Sequence, residues 1–108
     1  MKRKYLTDKQ KQLIKRIMQG KVIPFMYKNK DGKDCFIDAI GKPSLLGNLY
    51  FTISIRALIK NNLFFCDGLT KSIEVECLIK GDLDKKELNG HFVKPTGKAL
   101  HIFTNGEL

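Results

Sequence analysis

The sequence predicts a mixed α+β fold built as a single domain. Its length of 108 residues fits one domain, and neither an internal repeat nor a linker rich in proline, glycine or serine divides it. One segment near the N-terminus repeats apolar residues at helical spacing, whereas later segments alternate apolar and polar residues. Together these patterns predict helices and antiparallel strands that share one small core.

The first predicted helix covers residues 8–19. Thr7 is a favourable N-cap, and Gln10 follows it at the spacing of a capping box. Gly20 suits the left-handed conformation that often follows a helix. The apolar side chains that recur at helical spacing are Leu13, Ile14, Ile17 and Met18. They predict a buried face opposite an exposed basic one.

A β-hairpin is predicted next, with strands over residues 22–27 and 34–40. The run Asn29-Lys30-Asp31-Gly32 between them is a strong turn signal. Residues 41–44 then break the second strand, and Ser44 is a suitable cap for a short helix through Leu46.

The C-terminal half predicts two further helices. One covers residues 52–61, with Thr52 as its N-cap and the pair Asn61-Asn62 tolerant of the left-handed conformation that ends helices. A last short helix follows Thr96, which is its predicted cap.

Three strands are predicted between these two helices. Residues 63–66 form the first and residues 73–79, which alternate apolar and polar side chains, form the second, with a turn region at 67–71. The polar residues 81–90, with two glycines, are predicted to form a loop before a third strand at 91–93.

The charge distribution is strongly asymmetric and points to a polyanionic partner. The net charge is +9, and residues 1–21 hold eight basic residues against one acidic residue. Seventeen of the twenty basic residues are lysine, which meets a phosphate as a point charge, whereas arginine is the commoner reader of guanine. The composition therefore predicts nucleic-acid binding carried mainly by phosphate contacts.

Several other classes of protein are disfavoured. No stretch approaches the roughly 20 apolar residues that span a bilayer, and the basic start is followed by polar residues rather than a signal core. Cys35, Cys66 and Cys77 are widely spaced and odd in number, so they are predicted to be reduced thiols. We therefore expect a cytoplasmic protein that does not engage a membrane.

No catalytic or metal-binding pattern stands out in the sequence. A glycine-rich phosphate loop, a paired histidine and glutamate, and a nucleophile beside a base are all missing. His91 and His101 match no common metal-ligand spacing, and the aspartates near the hairpin have no evident further ligands. We expect no enzymatic activity, no metal, no cofactor and no small-molecule ligand.

Three local features resemble winged-helix DNA-binding domains. They are Leu6 to Gln10 opening the first helix, the run from Ile53 to Phe64 in which a helix passes into a strand, and the segment from Val93 to Leu100. The last is similar to an element that follows the wing in multidrug-resistance-type regulators and small phage or mobile-element winged-helix proteins. The resemblance covers about residues 5–103 of the chain.

The resemblance implies a winged helix-turn-helix with an extra β-hairpin in its N-terminal half and a short C-terminal helix. Residues 1–108 would form this one domain, with residues 1–6 as a flexible basic arm. A recognition helix would lie in the major groove, and the wing would reach the DNA backbone with Lys71 near its tip. The helix residues that would face DNA are Thr52, Ser54, Arg56, Lys60 and Asn61. Among them Arg56 is the best base reader.

Two other nucleic-acid surfaces are also predicted. The exposed face of the first helix carries the cations Lys9, Lys11, Lys15 and Arg16. In the hairpin, the aromatic residues Phe25, Tyr27 and Phe36 lie among lysines, a mixture that can stack unpaired bases.

Three functions follow from these observations. The first is a DNA-binding accessory factor of a replication, priming or mobile-element complex, which binds single- or double-stranded DNA and docks on a larger replication enzyme. The second is a sequence-specific transcriptional regulator. The third is a protein-interaction module whose charge serves only solubility.

Overall fold

The computed structural model describes residues 6–41, 49–79 and 82–106. These residues form helices and antiparallel strands, so the predicted mixed α+β class is confirmed. In chain order the elements are α1 (Asp8–Met18), β1 (Pro24–Lys28), β2 (Asp34–Asp38), α2 (Leu49–Lys60), β3 (Phe64–Cys66), β4 (Lys71–Ile79), β5 (Asp82–Pro95) and α3 (Gly97–Thr104).

The first helix begins and ends as its sequence predicts. The Thr7 hydroxyl accepts a hydrogen bond from the Gln10 N–H at 3.2 Å, and the Gln10 side chain accepts one from the Thr7 N–H at 3.0 Å. Gly20 follows the helix with a φ of 74°. These contacts satisfy N–H groups that have no partner inside the helix, so both signals read from the sequence are confirmed.

The predicted β1–β2 hairpin and its turn are also confirmed. The Asn29 side chain accepts hydrogen bonds from the N–H groups of Asp31 and Lys33 at 2.9 and 3.0 Å. Gly32 supplies a φ of 75° that other residues rarely adopt. The short helix predicted at 44–46 and residues 1–5 of the predicted basic arm lie outside the described residues.

The second helix differs from its prediction at the N-terminal end. It begins at Leu49 rather than after Thr52, so Thr52 lies inside the helix and is not its cap. Asn62 follows the helix with a φ of 61°, as predicted. The last helix also agrees, because the Thr96 hydroxyl accepts from the Ala99 N–H at 3.4 Å.

The strands form one antiparallel sheet in the order β2-β1-β5-β3, with β4 also paired to β5. β5 is the central strand, because its residues pair with β1, β3 and β4. The predicted loop at 81–90 is therefore wrong, since residues 82–90 pair with the whole of β4. We call the paired residues 71–79 and 82–90 the ribbon.

The two faces of the sheet carry separate hydrophobic clusters. The larger cluster lies under the helices and consists of Ile14, Phe36, Ile55, Leu58, Leu63, Phe64, Val93 and Ala99. The smaller one joins the ribbon to the β1–β2 hairpin and consists of Phe25, Ile37, Val75 and Leu88. Because alternate side chains of a strand point to opposite faces, β2 contributes Phe36 to one cluster and Ile37 to the other.

Gly90 allows the close approach that joins these two parts. It pairs with Tyr27 of β1 and with Lys71 of β4. A Cβ atom at this position would overlap the carbonyl oxygen of Met26 and lie 3.0 Å from the Phe25 ring. Glycine is therefore needed here for space rather than for an unusual backbone angle.

Candidate nucleic-acid interface

Helix α2, the predicted recognition helix, lies along the outer edge of strand β2. In an antiparallel pair, residues whose backbone groups bond to the partner strand alternate with residues whose groups point away from it. The Ala39 N–H donates to the Ile23 carbonyl and the Asn29 N–H donates to the Lys33 carbonyl, which shows which residues of the β1–β2 pair are bonded to each other. In that alternation the backbone groups of Asp34 and Phe36 point away from β1. This edge would expose unpaired donors and acceptors unless another element covered it.

Two side chains of α2, one helical turn apart, cover that edge. The Thr52 hydroxyl accepts from the Phe36 N–H at 3.0 Å and donates to the Phe36 carbonyl at 3.1 Å. The Arg56 guanidinium donates to the carbonyl oxygen of Asp34. The helix therefore satisfies both outward backbone groups of Phe36 and the outward carbonyl of Asp34.

These contacts give a structural role to Thr52 and Arg56, two of the predicted DNA-binding residues. Thr52 is only 6% exposed, so the prediction that it faces a nucleic acid is wrong. The reason is that its side chain is buried against β2, where the hydroxyl bonds to both backbone groups of Phe36. Arg56 remains exposed, but its side chain is directed to the β2 backbone.

The other predicted α2 residues lie closer to solvent. Lys60 is exposed, while Ser54 and Asn61 are half-buried. The Asn61 carbonyl accepts a hydrogen bond from the Lys98 ammonium at 3.4 Å, which joins the end of α2 to the start of α3. A cation at this position suits the negative end of the helix dipole.

The most exposed stripe of α2 includes two residues that the sequence reasoning missed. Tyr50 is 83% exposed and Ile53 is 54% exposed, and they lie on the same side of the helix as Ala57 and Lys60. The helical spacing of residues 50, 53, 57 and 60 was a usable signal. It was missed because the predicted helix started after Tyr50.

Lys71 does not lie at the tip of a wing, so that part of the prediction is wrong. It begins β4 opposite Gly90, whereas the connection between β4 and β5 falls at residues 80 and 81, outside the described residues. Glu74 and Glu76 point to the face of β4 opposite to that of Lys71. Glu74 forms an exposed ion pair with Lys85 at 3.4 Å.

The basic side chains of α1 flank its outward face. Lys11 and Lys15 lie one turn apart on one flank, and Lys9 and Arg16 lie two turns apart on the other. Lys11 is half-buried and the other three are exposed. The ion pairs between described residues join Lys85 to Glu74 and Lys94 to Asp67, so none involves these α1 cations.

The predicted base-stacking surface on the hairpin is not present. Phe25 and Phe36 are 0% and 3% exposed and belong to the two hydrophobic clusters. Tyr27 is half-buried against the smaller cluster, and burial followed by the contact with Cys35 raises the pKa of its phenol. These aromatic rings pack the core rather than offering a free face to a base.

The three cysteines are free; Cys77 is buried, whereas Cys35 and Cys66 are half-buried. Burial, followed by the charge of Asp34, raises the pKa of Cys66, which disfavours the reactive thiolate. Within residues 6–41, 49–79 and 82–106, no three His, Cys, Asp or Glu side chains come together in a way that would hold a metal ion.

Comparison of the chain with family models, curated proteins and solved structures finds no match. None of the helices in the described residues is long and apolar enough to cross a membrane.

Proposed function

We propose that this protein binds nucleic acid without enzymatic activity, mainly through phosphate contacts made by α1. The observation that carries the proposal is the outward face of this helix. Lys9, Lys11, Lys15 and Arg16 flank this face, and none of them pairs with a carboxylate among the described residues. Asp8 is the one acidic residue of the helix. Four cations on one short helix attract a polyanion more strongly than cations already neutralised by neighbours.

The dimensions of α1 suit a phosphate backbone. Lys9 and Arg16 are seven residues apart, which corresponds to about 10 Å along a helix at 1.5 Å per residue. That length faces roughly three phosphates of one DNA strand, whose axial spacing is about 3.4 Å. The helix lies on a rigid base, because its apolar face packs into the larger cluster through Ile14.

A winged-helix arrangement is part of this proposal. Its support is the order of elements, in which α1 and the hairpin precede α2 and a long two-stranded ribbon follows it. In that arrangement α2 would be the recognition helix. The ribbon would take the place of the wing without gripping DNA, because it carries five carboxylates against three lysines. Lys60 and the half-buried Ser54 and Asn61 would then be the polar contacts of α2.

Within this proposal, a replication or mobile-element accessory factor has more support than a transcriptional regulator. A regulator needs side chains that read bases, and Arg56 was the strongest such residue. Its guanidinium is bonded to the β2 backbone, which restricts its reach into a groove. Phosphate contacts by lysines require no such reach and bind any sequence.

The direct test compares labelled single- and double-stranded DNA of equal length by fluorescence anisotropy at two salt concentrations. The test variant changes Lys9, Lys11, Lys15 and Arg16 to Gln. The matched control removes four charges from the other end of the sequence, at Lys71, Lys85, Lys86 and Lys94. We expect the α1 variant to lose most of the affinity and the control to keep most of it.

Two results would count against this proposal. Absence of binding by the natural protein to either DNA would remove the function itself. Equal losses in both variants would show that net charge, rather than the α1 face, attracts the DNA. Tighter binding to duplex DNA would favour groove recognition, whereas tighter binding to single strands would favour the accessory role.

A second candidate function is protein binding through the exposed stripe of α2. The observation that favours it is that the side chains of Tyr50 and Ile53 are largely exposed on one side of α2. Adjacent exposed apolar side chains do not stabilise a monomer, but they are typical of protein-binding surfaces. A Tyr50→Ser, Ile53→Ser variant should keep its fold and DNA affinity if this stripe serves a protein partner such as a replication enzyme. Loss of DNA affinity in that variant would instead place the stripe against DNA.

A further inference from the structure

We propose that the β1–β2 turn and the C-terminal end of α2 form a second phosphate-binding surface. This surface, the basic ridge, consists of Lys28, Lys30, Lys33, Arg56, Lys60 and Lys98. The inference rests on the proposed nucleic-acid binding and adds a site that the α1 face does not include.

The contact between Arg56 and Asp34 brings the two halves of the ridge together. Because the Arg56 guanidinium reaches the Asp34 carbonyl, the second half of α2 lies beside the start of β2. Asp34 pairs across the hairpin with Lys28, and Lys33 immediately precedes it. The turn lysines and Lys60, one turn beyond Arg56, therefore occupy the same end of the molecule.

Lys98 extends the ridge past the end of α2. Its ammonium lies 3.4 Å from the Asn61 carbonyl, next in sequence to Lys60. The Thr96 hydroxyl donates to the Asn62 carbonyl at 2.7 Å, and the Thr96 N–H donates to the Leu63 carbonyl at 2.9 Å. These bonds fix the start of α3 against the end of α2, so Lys98 is held near Lys60.

The charge balance of the ridge is strongly positive. Helix α2 contains no acidic residue, and the carboxylates on this part of the hairpin are Asp31 and Asp34. All six basic residues of the ridge are exposed. Six cations against two carboxylates on one surface create a field that attracts a polyanion.

The ridge is also held in a defined shape before any ligand binds. The turn is fixed by the two hydrogen bonds to the Asn29 side chain, and α2 is fixed to β2 by Thr52. A rigid array of cations loses less entropy on binding than a flexible tail of the same charge. Since five of the six are lysines, we infer contact with the phosphates of either strand type rather than with base edges.

The test measures how affinity depends on salt for a variant with Lys30, Lys33 and Lys60 changed to Gln. None of these side chains takes part in a hydrogen bond or ion pair with the described residues, so the fold should be kept. The matched control changes three ribbon lysines, Lys71, Lys85 and Lys86, to Gln. Circular dichroism and urea unfolding verify that both variants are folded.

We expect the ridge variant to bind DNA at least tenfold more weakly at low salt. The slope of log affinity against log salt should fall by about 2 to 3, since each phosphate contact contributes roughly 0.7 to 0.9. The control should change the slope by less than 1. Affinity and slope equal to those of the control would overturn the ridge.

The ridge and the function can fail separately. If the natural protein binds DNA and only the α1 variant loses binding, the ridge is refuted and the proposed function stands. If the natural protein binds neither single- nor double-stranded DNA, both are refuted. Losses in the α1 and ridge variants that exceed their controls support two separate phosphate-binding surfaces.

Discussion

The hydroxyl of Thr52 bridges both backbone polar groups of Phe36. It accepts from the N–H at 3.0 Å and donates to the carbonyl at 3.1 Å, at a site where Phe36 is buried. One side chain thus replaces the neighbouring strand that an edge residue lacks. The relationship fixes the position of α2 and of every basic residue that α2 carries.

Replacing Thr52 with Val should destabilise the protein by about 1 to 3 kcal/mol. Valine keeps the shape of the side chain but leaves the Phe36 N–H and carbonyl without partners in a buried setting. Urea unfolding measures the loss. Thr52→Ser, which keeps the hydroxyl, is the control and should lose clearly less. Equal stability of Thr52→Val and the natural protein would mean that the edge is covered in another way.

Replacing Arg56 with Ala separates an edge-covering role from a base-reading role. The exposed hydrogen bond to Asp34 predicts a loss of about 0.5 to 1.5 kcal/mol in unfolding free energy. DNA affinity should weaken by a similar factor for all sequences, because one charge is removed from the ridge. Unchanged stability together with an altered sequence preference would instead identify Arg56 as a base reader.

The elements that the sequence predicts well are those set by neighbouring residues. The Thr7–Gln10 capping box, the Asn29 to Gly32 turn and the Asn62 helix end depend on contacts within a few positions of the chain. Such contacts follow from side-chain chemistry and backbone preferences alone. They place α1, the hairpin and the end of α2 without knowledge of the tertiary structure.

The misplaced elements depend on partners far away in the sequence. Residues 82–90 are polar enough to suggest a loop, but they form a strand because β4 pairs with each of them. Threonine is favoured both at helix caps and in polar contacts, and Thr52 is used for a contact 16 residues away. The basic face of α1 could be predicted from helical spacing. The basic ridge could not, because its residues come together only where α2 packs along the edge of β2.

Replacing Gly90 with Ala should be severely destabilising, by roughly 3 kcal/mol or more. The added Cβ would overlap the Met26 carbonyl oxygen, which belongs to the backbone and has little freedom to move. The ribbon and β1 would have to separate, which opens the cluster around Phe25. Gly68→Ala is the control, since no atom lies within 4 Å of a Cβ there. Similar urea midpoints for the two variants would contradict the tight packing at Gly90.

The stability of the turn between β3 and β4 should depend on pH through Asp67. Its carboxylate accepts from the Leu69 N–H at 3.1 Å and pairs with Lys94 at 3.0 Å. The Leu69 hydrogen bond, followed by Lys94, lowers the pKa of Asp67 below its usual range. A lowered folded-state pKa means that the unfolded chain takes up a proton first as the pH falls. The stabilisation is therefore present above the ordinary aspartate pKa of about 3.9 and is lost as the pH drops through the lower folded-state value.

The Asp67→Asn variant should be less stable at neutral pH and should lose less of its stability on acidification. Asparagine can still accept the Leu69 hydrogen bond but cannot pair electrostatically with Lys94, and it no longer titrates. Urea unfolding at about pH 7 and about pH 3 measures both effects. Asp31→Asn controls for the removal of one carboxylate from an exposed turn. If both variants show the same difference in unfolding free energy between the two pH values, Asp67 does not contribute to the acid sensitivity. In that case the turn before β4 is held by the backbone hydrogen bond from the Asp67 N–H to the Phe92 carbonyl at 2.8 Å.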